Sequence, residues 1–392
     1  MDRDLQSPCG GGARKKGVGM SPMDDLREAY GLLGRVVRPT RWTTPLGLSR
    51  VRSELAELVM RGGSTSGLSL WEYDHPDLLQ VPDAVGVCER ALARVEEDLH
   101  KHEVWALRTL LEEALASAAE ARNHEAAAVT ERTTRTHGLP TPDEVAEASR
   151  ILTAPTEDEQ TATVSDEEVA ASMRLALDRL GIEGWTVEIA DGKVSDMAVI
   201  GGRHRVDVRK GARFTDSAVR QLLVHEIGTH VLRRHCAENQ ASYPVRLPVG
   251  AAIRTEEGFA VWREHEAQVS FPSRSRIYAA RVVAVDVALR AGIRDVIEAL
   301  ADHIGLTSAI GTAIRVKRGL VNPDEPGANV KDHVYFTGSR AVGTHLRQHP
   351  DDLGLLFAAK WPLEELWRVR DLAAAGLVDP VPSHLTDPRI VL

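Results

Sequence analysis

Apolar positions recur at helical spacing over most of the chain. Val219, Leu222, Leu223, Ile227, Val231 and Leu232 predict a largely buried helix across residues 216–236. Ahead of it, Trp185-Thr-Val-Glu-Ile-Ala190, Met197-Ala-Val-Ile200 and His204-Arg-Val-Asp-Val-Arg209 read as three short strands that abut this helix as a small sheet. Residues 23–62 read as helix with a break from Pro39 to Pro45. Residues 64–85 read as a Gly/Ser/Pro-punctuated loop carrying Trp71, Tyr73 and His75, and 86–135 as an Ala/Glu/Arg-rich helix. A polar stretch at 154–166 precedes the strands. After the strands the pattern is almost continuously helical, 277–303 included, until the turn cluster Asn322-Pro-Asp-Glu-Pro-Gly327, which is expected to present Lys331 and Tyr335 from a loop. The fold class expected is α+β: mostly helical, with a small β-sheet beside one central helix. The expected division is a disordered tail at 1–22, an N-terminal helical region at 23–150 and a catalytic region at 151–392.

Composition narrows the class. With 392 residues and 43% apolar composition the chain can bury a large core. A net charge of −9 argues against a nucleic-acid surface, and no apolar run approaches the length of a membrane span. The Gly-rich N-terminal tail lacks the apolar core of a secretory signal. Cys9, Cys88 and Cys236 lie far apart and form no Cys-x-x-Cys pair, so a reducing, cytoplasmic compartment is expected. Cys236 reads as a buried small side chain rather than a ligand.

Chemistry concentrates on the predicted helix, at His225-Glu226-Ile227-Gly228-Thr229-His230. Two imidazoles and a carboxylate can hold zinc with one position open for water, and the Glu beside the first His can take that water's proton. The usual zinc helix spaces its histidines four apart, whereas here they are five apart, roughly 140° out of register on a regular α-helix. The metal reading therefore carries a structural condition. The helix must be over-wide between His225 and His230, as in a π-bulge, with Gly228 easing the distortion. In the helical run Thr255-Glu256-Glu257-Gly258-Phe259-Ala260-Val261-Trp262, adjacent carboxylates cannot point the same way. Glu257 is assigned as the third ligand, and Glu256 as a partner orienting an imidazole N–H. A solvated helix face is the alternative for Glu256.

Taken together, these residues resemble the tyrosine/leucine carboxypeptidases related to the microtubule-associated tyrosine carboxypeptidase, whose bacterial members carry the label of flavohaemoglobin expression-modulating proteins with a Gln-Glu-Gly-Leu-Ala motif. His-Glu-Ile-Gly-Thr-His stands intact at 225–230, and the second motif appears as Glu256-Glu257-Gly258-Phe259-Ala260. An Arg-x-x-Arg-Gly element appears as Arg315-Val-Lys-Arg318-Gly319, and Lys-Asp-x-x-Tyr-x-x-Gly as Lys331-Asp332-His-Val-Tyr335-Phe-Thr-Gly338. Weaker similarity involves Trp71-Glu72-Tyr73, Pro142-Asp-Glu-Val-Ala-Glu-Ala148 and Leu372-Ala-Ala-Ala-Gly376-Leu377, so the resemblance covers about residues 68–380.

The resemblance implies a zinc metallocarboxypeptidase that removes a C-terminal residue, such as Tyr or Leu, from a peptide or protein tail. In that reading Zn2+ sits on His225, His230 and Glu257, and Glu226 is the general base. Tyr335 is the first candidate for oxyanion donor and His333 the second, while Arg315, Arg318 and Lys331 are candidates for the substrate carboxylate. Two further readings stand beside it. One is a dipeptidyl-peptidase III-like zinc exopeptidase, which would need acidic or amide groups for a substrate ammonium. The other is a catalytically silent zinc-binding regulator, against which the intact Glu226 weighs. Pocket walls are expected from loops that include Trp71 and Tyr73.

Overall fold

The computed structural model of the chain describes residues 21–37, 39–61, 70–74, 78, 80–155, 161–191 and 196–392. It is 69% helical with small sheets, a mostly helical α+β fold. The expected tail lies outside the described residues up to Met20, and Pro22 already opens the helix Pro22–Val36, where the Ser21 hydroxyl accepts from the Asp24 N–H at 3.2 Å. Cys9 and His75 also lie outside them.

The three expected strands form as Thr186–Ala190, Met197–Ile200 and Arg205–Arg209. Arg205–Arg209 is central, parallel to the first and antiparallel to the second. Alternation sends Val206 and Val208 inward with Val187 and Met197, where they share one core with Val224, Ile227 and Val231 of the helix that follows. A second apolar core joins Leu55, Leu152, Val285, Ile297 and Ile310 of the surrounding helices, and a third joins Leu26, Val85, Leu107 and Leu111.

Several expectations are corrected by local capping. The single helix expected at 86–135 is three helices, Gln80–Ala93, Lys101–Glu120 and Ala126–His137. The first begins inside the stretch expected as loop. The second starts at a capping box, with the Glu103 carboxylate accepting from the His100 N–H at 3.0 Å and His100 Nδ1 from the His102 N–H at 3.3 Å. The helix expected at 277–303 divides into Pro272–Ala288 and Ile293–Ile304. The Pro142 stretch is a capped helix start, with Thr141 and Glu144 as its capping box. Trp71 and Tyr73 are buried packing residues rather than pocket walls. Tyr73 donates to the Leu320 carbonyl at 2.7 Å, accepts from the Gly319 N–H at 2.9 Å and stacks on His124.

A tight helix crossing joins two motifs. Ala252–Glu266 crosses Val334–Gln348 at Gly258 and Gly338, where a Cβ on Gly258 would sit 2.2 Å from the Gly338 carbonyl carbon and one on Gly338 would sit 2.3 Å from the Arg254 oxygen. Only glycine permits this approach, and it brings Glu257 beside the Lys331–Tyr335 segment. Gly258→Ala is expected to cost about 3 kcal/mol, the upper part of the overpacking range, because the obstacle is backbone and cannot rotate away. Urea denaturation checks it, and a loss under about 1 kcal/mol would contradict so tight a crossing.

Candidate metal centre

The histidine motif lies on one continuous helical run, Asp216–Leu222, Leu223–Val231 and Leu232–Glu238, whose middle section is π-helical. The wide turn supplies the register that five-residue spacing requires, bringing the His225 and His230 rings to 4.8 Å between centroids. The Thr229 hydroxyl donates to the Val224 carbonyl at 2.9 Å, five residues back, satisfying an acceptor within the widened turn. Gly228 has a different use from the one expected. It is not among the positive-φ residues, and its missing side chain instead admits Val391, whose Cγ2 would lie 3.3 Å from an added Cβ.

His225, His230 and Glu257 converge, with one ligand atom from each lying within 4.8 Å of the others. Glu257 Oε2 is 3.6 Å from Nε2 of both rings. That separation is longer than a hydrogen bond and close to the roughly 3.4 Å between neighbouring ligands of a tetrahedral ion with bonds near 2.1 Å. The donor set, two imidazoles and a carboxylate, fits a divalent transition metal.

Both rings are held from behind. His230 Nδ1 donates to Glu256 Oε1 at 2.8 Å and His225 Nδ1 donates to Glu264 Oε1 at 2.6 Å, which leaves each Nε2 facing Glu257. Glu256 is not a solvated carboxylate. It is 8% exposed and also accepts from Arg233 Nη1 at 2.6 Å and Lys360 Nζ at 3.0 Å. Burial alone would raise its pKa, but Lys360, Arg233 and His230 hold it below the usual carboxylate range. Burial works against a charged His230 as well, yet Glu256 and Glu257 raise it to about 10.

Glu264 was missed by sequence reasoning. It is fully buried and also accepts from Gln221 Nε2 at 2.5 Å and the Tyr278 hydroxyl at 2.8 Å. Its signal was its position seven residues after Glu257, two turns along the same helix face. Glu264→Gln keeps the shape but removes the charge facing His225, and is expected to weaken metal affinity about 10- to 100-fold in chelator competition. Unchanged affinity would mean that the contact is only packing.

Glu226 lies beside this centre and lines a cavity of about 750 Å³ together with Arg274, Arg281 and Arg315. Arg315, Arg318 and Lys331 come together around the fully buried Asp332. Arg315 donates to it through Nε at 2.5 Å and Nη2 at 3.0 Å, while Arg318 and Lys331 each stand 3.9 Å away. Burial pushes the Lys331 ammonium down to about 8 against the pull of Asp332. Lys331 sits in the short 3-10 turn Val330–His333, and Tyr335 in the helix Val334–Gln348, rather than in a loop. The cause is local capping by Asn329, whose side chain accepts from the Lys331 N–H at 3.3 Å.

Tyr335 stacks on Tyr278 with ring centroids 5.6 Å apart and planes at 9°. Burial, then the Glu257 charge, raises its pKa, so its hydroxyl stays protonated at neutral pH. His333 points elsewhere. Its ring nitrogens contact Thr337 Oγ1 at 3.0 Å and the Gly138 carbonyl at 3.2 Å, which removes it as a second oxyanion donor. Cys236 is a buried free thiol pushed up to about 12 by burial. No helix among the described residues is long and apolar enough to cross a membrane.

Compared with known families, the chain matches the family model described as microtubule-associated tyrosine carboxypeptidase over residues 91–389, most of its length. The search of curated proteins found no match.

Proposed function

Because the chain belongs to the microtubule-associated tyrosine carboxypeptidase family, we propose that it is a zinc metallocarboxypeptidase removing one C-terminal residue, such as Tyr or Leu, from a peptide or protein tail. The observation that carries this reading is the convergence of His225, His230 and Glu257 with both Nδ1 atoms tied to carboxylates and Glu226 standing at the adjoining cavity.

Zinc held by these three residues would lower the pKa of a water toward neutrality and polarise the scissile carbonyl. Glu226 then accepts the water's proton on its carboxylate and delivers it to the leaving amine. Tyr335 donates its O–H to the oxyanion. Glu256 and Glu264 keep the two rings aimed, and the Arg315, Arg318 and Lys331 cluster gives that wall the positive field a substrate carboxylate needs. The cysteine usage supports a cytoplasmic location as part of this proposal.

Mass spectrometry of a diverse peptide library incubated with zinc-loaded protein tests this. The expected result is loss of single C-terminal residues. Release of N-terminal dipeptides would replace it with the dipeptidyl-peptidase reading, and metal binding without any cleavage would favour the silent regulator.

A further inference from the structure

Two guanidinium groups that line the cavity with Glu226, Arg52 and Arg281, keep a buried nitrogen without a hydrogen-bond partner, and of the two Arg281 is the one set against Tyr335. Arg281, on the helix Pro272–Ala288, has no ion pair or hydrogen bond among the described residues, and its Nη1 is buried without an acceptor. Two of its neighbours are committed, while Arg318, 3.9 Å from Asp332, also keeps a buried Nε without a partner. Arg315 spends Nε and Nη2 on Asp332, and Arg274 donates Nε to the Tyr278 hydroxyl at 3.1 Å. A half-buried cation whose Nη1 is buried without an acceptor is costly unless an anion arrives to meet it.

Arg281 is also held in place without being used up. Its guanidinium carbon lies 4.1 Å from the Tyr335 ring centroid and 5.5 Å from that of Tyr278, and those two rings are stacked on each other. Contact with aromatic faces fixes a guanidinium while leaving its N–H edge available for two parallel bonds to a carboxylate. The charge balance points the same way. Arg281 and Arg315 line the cavity, Arg318 and Lys331 stand with Arg315 around Asp332, and Asp332 is the only carboxylate paired with any of these four cations among the described residues. Burial and the charge of Arg315 depress the pKa of Arg281, outweighing the opposite pull of Tyr335 and Asp332.

Tyr335 links this group to the candidate metal centre: its ring lies under Arg281, and its helix crosses the Glu257 helix at Gly258 and Gly338. A peptide's terminal carboxylate and its last scissile carbonyl are one residue apart, about 3.8 Å between successive Cα atoms. We propose that Arg281 is the residue that directly grips the substrate's terminal carboxylate, with Asp332 holding Arg315 back as a member of its support. This rests on the carboxypeptidase reading and deepens it by naming the residue that sets the exopeptidase register.

The test is equilibrium binding by calorimetry to the zinc-loaded Glu226→Gln protein, so that no turnover intervenes. The probes are the best-cleaved library peptide and its C-terminal amide. The free acid is expected to bind about 10- to 100-fold more tightly, the scale of a charge-assisted bidentate contact. Adding Arg281→Gln should bring the two probes within about threefold, and Arg281→Lys, which keeps the charge but not the fork, should retain part of the preference. Zinc content and melting temperature confirm that each variant is folded. An acid preference of parental size in the Arg281→Gln protein would overturn this inference and leave the carboxypeptidase reading standing. Equal binding of acid and amide by the parent, or a library without a cleaved peptide, would remove both.

Discussion

Glu226→Gln is expected to lower kcat by about 10²- to 10⁴-fold while metal content stays unchanged, the range contributed by a general base. The amide preserves the volume of the side chain but cannot take a proton. Glu226 is partly exposed toward the cavity and is not one of the three converging ligands, so neither the metal site nor the fold depends on its charge. Elemental analysis beside single-turnover kinetics separates the two effects. Turnover within tenfold of the parent would remove Glu226 as the base, and loss of metal would make it a ligand or a scaffold residue instead.

Asp332→Asn is expected to destabilise the protein by about 3–5 kcal/mol at neutral pH, the cost of stripping one partner from a buried ion pair. Asp332 is fully buried, and Arg315, Arg318 and Lys331 converge on it. Without its charge they repel one another in a medium that screens poorly. Burial by itself would raise the Asp332 pKa, yet Arg315, Arg318, Lys331 and the more distant Arg281 hold it well below the usual carboxylate range. A depressed folded-state pKa gives stability that is present above the unfolded value, near 3.9, and is lost as pH falls through the folded one. The difference between parent and variant should therefore be constant from pH 7 to 5 and narrow below about pH 4. Urea denaturation across that range checks both size and sign. A difference under about 1 kcal/mol at pH 7 would mean that the cluster relaxes into solvent.

Much of the candidate metal centre was legible in the sequence. The five-residue gap between His225 and His230 demanded an over-wide helix, and the π-helical section Leu223–Val231 provides it. That only one of Glu256 and Glu257 could converge was readable from helix geometry, and the resemblance to the family motif placed that role on Glu257, which is the carboxylate that converges. The strands were readable because alternation over four or five residues is a local signal. Reading failed where a boundary depended on a cap. The three helices between Gln80 and His137 looked like one because alanine and glutamate favour helix throughout, and the interruptions rest on individual contacts such as His100 with Glu103.

The sequence by itself determined which side chains could bind a metal and on which helical faces they would appear, since ligand chemistry and helical periodicity are properties of residues near one another in the chain. Only the tertiary structure decided what stands behind and around them. Glu264 is tied to His225 and Tyr278, Arg233 and Lys360 share Glu256, Asp332 occupies Arg315 and leaves Arg281 unpaired, and Gly258 meets Gly338 across a helix crossing. Each of these pairings joins separate elements. For the charged groups the cause is competition for a limited set of buried partners, and for the two glycines it is close backbone packing, both of which only the packed chain resolves.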